Sequence, residues 1–379
     1  MAASKKRTFK DIIIGVMRAA LMTLLAFIFS FFLLEPLSFS ALSIFSVPEK
    51  NDFSISDLYV HIANNRSVRT LDSDIVLVDV KNETRPEIAE TLHKINFWNP
   101  KVVGIDILFS KNMPGDSVLV NAIKDIENVI LPLGLEDVDN DRVYRICDVP
   151  FFYQQFPVVY GASNLPSKFE GGTIREFATY FPMKNGERLL SFPMALAKAY
   201  NPSCLRLINQ RNKRIETIDY ASRDFVILTS DDIENNGELL NDKLVIVGSI
   251  SDGGDMHSTP INSYLSGLSI HAASVATILN GNFFDDALNC PPWIPACILC
   301  FLILLIREFS ELEMRGLIIR FLQLLIVYAA VRIGYGLYVD KYKIFDFSYT
   351  MLMVTFGLFA VDIWLGVEYI VKWIIKKFK

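Results

Sequence analysis

Residues 35–290 have the composition of a water-soluble domain, yet hydrophobic segments close them off at both ends. One such segment precedes them, Ile12–Leu34, and three come after, at 291–306, 317–338 and 345–371. Each reads as a membrane span from its apolar run. A body tethered at both ends can fold on only one side of a membrane, and anything it senses must pass through helices. The composition agrees: 51% of the residues are hydrophobic and mean hydropathy is +0.32, which suits a chain part membrane and part globular.

Orientation comes from the flanking cations. Lys5, Lys6, Arg7 and Lys10 precede the first span, and Lys372, Lys376, Lys377 and Lys379 close the sequence. The positive-inside rule then puts the tails 1–11 and 372–379 in the cytoplasm and 35–290 outside. The loop Arg307–Gly316 falls inside and the turn Val339–Lys343 outside. The first segment reads as a retained anchor rather than a cleaved leader, because its apolar stretch is long and no A-x-A site comes after it. The span at 291–306 is short: sixteen residues cover about 24 Å, below the roughly 30 Å apolar core, so either Arg307 snorkels or the bilayer thins locally. Charges inside spans are costly. Arg320 and Asp362 lie at similar depths in antiparallel neighbours and are expected to pair, whereas Arg18 and Arg332 read as snorkelling.

A net charge of −5 with no basic run in the soluble region excludes nucleic acid as a natural partner. The cysteines are few. A Cys147–Cys204 disulfide is one option in an oxidising compartment, without framework spacing to support it.

Within the body, a helix is predicted over Ser54–Asn64. Buried strands are predicted at Ile75–Val80, Val102–Phe109, Asn128–Leu133 and Lys243–Ser249, with helices at Arg85–Phe97, Asp116–Ile126 and Ile270–Leu279. Asn280-Gly281-Asn282 reads as the C-cap of the last. Strand and helix alternating in this rhythm imply an α/β fold, its mostly parallel sheet covered by helices on both faces. The middle is an irregular insertion. Thr173–Phe181 alternates like an antiparallel strand, Phe192–Tyr200 is a short helix, and Phe225–Leu228 precedes an acidic loop.

Ligands of open α/β sheets bind outside the carboxyl ends of the strands. Asp79 and Asp106 stand at or near two such ends. Ser249 and the loop carrying Asp255 and His257 come after the late strand, and His271 falls in the first turn of the next helix. If the strands are neighbours, these side chains form an acidic cleft with two imidazoles. Three readings stay open. The cleft holds a divalent metal that activates water, it binds a small polar ligand without chemistry, or the acids merely tie loops together through amides or an arginine. No P-loop, GxGxxG, HExxH, GxSxG or paired CxxC occurs, so no cofactor and no enzymatic activity are expected.

The order of these features resembles the second class of CHASE domains, the cyclase/histidine-kinase-associated sensory extracellular domains. An anchor and a helix ending near Arg66 lead to IVLVDV, then NPKVVGIDILF, REFATYF and SFPMALAKAY. The most specific block is the last: a strand, Gly248-Ser249, Asp255-x-His257-x-Thr259-Pro260, then Gly267 with His271-Ala272. The likeness covers residues 40–285 and extends to the spans, since members place three helices after the domain. It implies a bacterial inner-membrane sensor with its domain in the periplasm or outside the cell, binding an undefined small molecule. Family members continue into a kinase or cyclase, whereas this sequence stops at Lys379. The expectation is therefore signalling through a separate protein in the bilayer or envelope, with dimerisation expected by analogy alone. The alternative is a non-catalytic assembly subunit of an envelope complex.

Overall fold

The computed structural model describes residues 8–37, 54–66, 70–138, 142–167, 172–221, 223–251, 255–309 and 315–377. The chain divides into two compact units, Val60–Phe284 and the remainder.

The first unit is built on one sheet. Its strands are β1 (Thr70–Asp79), β2 (Val102–Ile105), β3 (Val129–Val138), β4 (Val143–Asp148), β5 (Val159–Ala162), β6 (Arg223–Thr229) and β7 (Leu244–Gly248). They run in the order β6-β1-β7-β2-β3-β4, with β5 also alongside β3. Every pairing is parallel except β3 with β4. β7 enters between β1 and β2, with Val78 opposite Val247 and Ile105 opposite the same residue on the other side. That insertion makes β1, β7 and β2 contiguous, and their carboxyl ends point to one edge.

Helices cover both faces because the central strands are apolar on both. Val76, Val78, Val103, Ile105, Val245 and Val247 meet Ile88, Leu92, Leu119 and Ile123 from α3 (Arg85–Phe97) and α4 (Asp116–Lys124). The opposite face carries α5 (Phe192–Tyr200) and α6 (Gly267–Asn280). Gly104 in β2 admits α5 closely, since a Cβ there would lie 2.6 Å from a Leu196 methyl. Burying a full Leu, Ile or Val side chain is worth about 1.5–3 kcal/mol, so these two layers supply most of the unit's drive to fold.

Several elements depart from the sequence reading. β2 stops at Ile105, although the Asp106 amide still donates to the Val247 carbonyl at 2.7 Å. β4 and β5 had no predicted counterpart. Thr173–Phe181 breaks into two short strands, Glu176–Ala178 and Tyr180–Pro182, each with its own antiparallel partner. The segment read as an acidic loop is a helix, Ser230–Asn236, with Thr229 and Asp232 forming a capping box. α6 begins three residues earlier than predicted, its N-cap Ser266 accepting from the Ser269 amide, so His271 stands in the second turn. Gly281 closes α6 at φ +68°, in the left-handed region that glycine tolerates. Cys147 is exposed, Cys204 is buried, and both are free thiols.

The second unit is helical: α1 (Phe9–Leu37), the start of α2 (Ile55–Arg66), α7 (Trp293–Phe309), α8 (Arg315–Lys341) and α9 (Ser348–Lys377). α1, α8 and α9 are long and apolar enough to cross a membrane. α7, at 17 residues, is shorter. α1, α7 and α9 meet through small residues: Ala19 and Ala26, Ala296 and Cys300, and Ala360. Small side chains let such helices approach closely. α9 starts at Ser348, not Phe345, and continues to Lys377, so Lys372, Lys376 and Lys377 sit on helix. Tyr59 is fully buried, donating its hydroxyl to the Phe345 carbonyl at 2.8 Å beside Tyr338 and Phe347.

Candidate functional site

The chain turns away from the sheet at the carboxyl ends of β1, β2 and β7, and the turns leave a cleft of about 830 Å³. Its floor comes from the strand ends, where Asp106 succeeds β2 and Ser249 succeeds β7. One wall is α6 with His271. The rim carries Glu83 from the loop after β1, and Asp255 and His257 from the loop after β7.

Each position has a local cause. Met256–His257 pairs antiparallel with Leu265–Ser266, which brings the loop back to the start of α6. The Gly267 amide donates to the Asp255 carbonyl at 3.0 Å. Gly267 also leaves room for the Asp255 carboxylate, for a Cβ there would fall 2.3 Å from Oδ2. With Asp255 so placed, its Oδ1 lies 3.0 Å from His257 Nε2. Below them, His271 Nε2 lies 3.8 Å from Asp106 Oδ1, and their side chains are only 3% and 10% exposed. That separation exceeds a hydrogen bond. The His271 ring leans edge-on against Phe192 of α5.

The electrostatics stem from burial. Desolvation pushes the Asp106 carboxyl above its ordinary range, His271 pulls it back, Asp255 adds to the rise and His257 opposes it. Burial likewise raises Glu83, against the hydrogen bond from Thr91. Two further groups have unmet hydrogen bonds: Ser249 Oγ and His271 Nδ1 are buried without partners. Buried polar atoms in native proteins are overwhelmingly paired, so these two atoms beside the buried Asp106 carboxylate mark the cleft as a candidate site.

Of the residues singled out from sequence, Asp106, Ser249, Asp255, His257 and His271 line this cleft. Asp79 does not. Its Oδ1 accepts from the amides of Lys81 and Ile250, both at 3.2 Å, tying the loops after β1 and β7. Its place at a strand end puts it next to the cleft, where it braces the loops rather than lining the opening. Lys81, Asn82, Glu83, Ser163 and Ser167 also line the cleft and escaped the sequence reading, which tracked the acids at the ends of predicted strands. Ser163 arrives only because β5 lies beside β3, and that pairing had no legible pattern. Among the described residues, no group of three or more His, Cys, Asp or Glu side chains is arranged to hold a metal.

In the helical unit, Arg320 NH2 lies 3.5 Å from Asp362 Oδ2, with both side chains largely exposed. Arg18, read as snorkelling, instead reaches Glu308 at 3.4 Å and Glu368 at 4.0 Å. These contacts join the early part of α1 to the end of α7 and the late part of α9.

A family model described as the CHASE2 domain matches residues 26–307, most of the chain. This chain belongs to the CHASE2 domain family. CHASE2 domains are sensory and not catalytic, and the three long apolar helices associate this member with a membrane. No curated protein and no solved structure matches the chain. Within the matched residues, the stretch from Gly248 to His271 contributes Ser249, Ser251, Asp255, His257 and His271 to the cleft.

Proposed function

We propose that this CHASE2 protein is a membrane-anchored sensor that binds a small polar molecule in the cleft at the ends of β1, β2 and β7. In this reading the α/β body lies outside the cytoplasm, and α7 is a fourth, short span beside α1, α8 and α9. Parity then returns both termini to the cytoplasm. Two features support this: basic residues flank both ends, and Arg18 of α1 meets Glu368 of α9, bringing the first and last helices together near those ends. A ligand that favours one arrangement of the body biases a two-state equilibrium in the helices. A separate envelope or signalling protein reads that bias.

The observation that carries the proposal is the cleft floor itself, where the buried atoms Ser249 Oγ and His271 Nδ1 have no partner and the buried Asp106 carboxylate stands beside His271. A thermal-shift screen of water-soluble metabolites on the purified full chain tests it. A compound present at a hundredfold excess over its Kd adds about 2.7 kcal/mol to stability. Ser251 is exposed at the rim, so Ser251→Trp fills the mouth without disturbing the core. At least one compound should stabilise the wild type and not Ser251→Trp. Equal stabilisation of both proteins, or none by any compound, refutes binding in this cleft.

A further inference from the structure

The lining of the cleft narrows the chemistry of its occupant. The Asp106 carboxylate is nine-tenths buried, and its one ion-pair partner among the described residues is His271 at 3.8 Å, beyond hydrogen-bond reach. Ser249 Oγ and His271 Nδ1 are buried and unpartnered beside it. A ligand suited to this floor therefore brings hydrogen-bond donors to a carboxylate, and a charged donor makes the stronger bond.

The rest of the lining removes the other classes. Among the described lining residues there is no Arg, and Lys81 is the lone Lys, against Asp106, Asp255 and Glu83. Phosphates and carboxylates are usually gripped by guanidinium forks or several cations, so an anion is a poor match. The same lining holds no Phe, Tyr or Trp. Quaternary ammonium groups are recognised by aromatic faces, which disfavours a ligand without N–H donors. Beside the carboxylates, hydroxyls and imidazoles the lining holds six aliphatic side chains: Val80, Ile88, Ile107, Leu108, Leu165 and Ile174. These suit an alkyl chain.

Resting on the cleft reading above, we infer that the ligand is an aliphatic primary amine, its ammonium group on Asp106 and its chain along the apolar wall. Asp255 and Glu83, nearer the rim, take a second ammonium, so a diamine fits better than a monoamine. Among the described residues no hydrogen-bond donor is seen on the Asp106 carboxylate; an ammonium there supplies a charged one, while Ser249 Oγ can accept from a second N–H of the same group.

Isothermal titration of the full chain in detergent with putrescine, its neutral isostere 1,4-butanediol and n-butylamine tests this. Putrescine should bind, butylamine more weakly, and butanediol at least tenfold more weakly than putrescine. Asp106→Asn should weaken putrescine at least tenfold and Asp255→Asn about threefold, so the inference does not hang on one variant. Equal binding of putrescine and butanediol, unchanged binding by both variants, or no binding of putrescine overturns the amine assignment. If compounds from the metabolite screen still stabilise the wild type and not Ser251→Trp, but lack an amino group, the cleft reading stands and the amine alone falls. If none does, both fall.

Discussion

Glu216→Ala is expected to lower the melting temperature of the α/β body more than any surface change. Glu216 and Arg211 form a two-pronged pair, Nε to Oε1 at 2.7 Å and NH2 to Oε2 at 3.0 Å. Their side chains are 1% and 15% exposed. Arg211 also donates to the Phe284 carbonyl at 3.1 Å and lies over the Phe283 ring, so it pins the chain just beyond α6. Truncating Glu216 takes both prongs of this pair from Arg211, and breaking a buried pair costs about 3–5 kcal/mol. For a body of this size each kcal/mol moves the midpoint by roughly 2–4 °C. The double variant Arg211→Met/Glu216→Leu should recover most of the loss, because it removes both charges and keeps the volume. A drop under about 2 °C for Glu216→Ala, or a double variant no better than the single, would show that the pair is not what holds this corner.

Asp106→Asn should have the opposite sign. Burial raises the Asp106 carboxyl, so the folded protein holds that proton more tightly than the unfolded chain does. Such a group contributes stability that is fully present below the ordinary aspartate range, about 4, and is lost as pH rises through the raised value. The residues facing it do not reverse the direction: His271 and His257 favour the charged form, Asp255 disfavours it, and desolvation outweighs them. Asparagine keeps the shape and removes the titration. The variant should therefore melt above the wild type at pH 7.5, by about 1–3 kcal/mol, with the gap closing towards pH 4. Melting curves across that range decide it. A gap that is constant with pH, or a variant less stable at pH 7.5, would mean that Asp106 is ionised and well satisfied in the fold. The same substitution is expected to gain stability and lose ligand, a trade common at built sites.

What could be read in the residues alone depended on how local the cause was. The apolar runs IVLVDV and KLVIVGS announce buried parallel strands, and the structure places them side by side as β1 and β7. α5 was legible to the residue, from Phe192 to Tyr200, because its apolar spacing and the proline at its start are local signals. Non-local pairing was not legible. β5 carries Val159 exposed and Gly161 against the Phe192 backbone, so it shows neither alternation nor a full apolar run. Thr229 and Asp232 cap a helix where abundant Asp and Asn suggested a loop, since the capping box outweighs the poor helix propensity of the Asp and Asn residues in that helix. Within the cleft, polar residue types at predicted strand ends located five lining residues. Asp79, chosen by the same logic, does not line it; its Oδ1 accepts from two backbone amides instead. The partners of Arg18, Glu308 and Glu368, lie 290 and 350 positions away, where no local pattern points to them.

Sensing from outside the cell requires the α/β body to face away from the cytoplasm, and the protein carries its own probe of that. Cys147 lies in β4, exposed, whereas Cys204 is buried. Burial of its surroundings holds the Cys147 thiol above its usual value, so labelling is run at about pH 8.5, where a free thiol is half ionised. In a Cys290→Ser background, a membrane-impermeant maleimide added to intact cells should modify Cys147 as fully as it does after lysis. Modification only after lysis would place the body inside the cell and contradict the sensor reading.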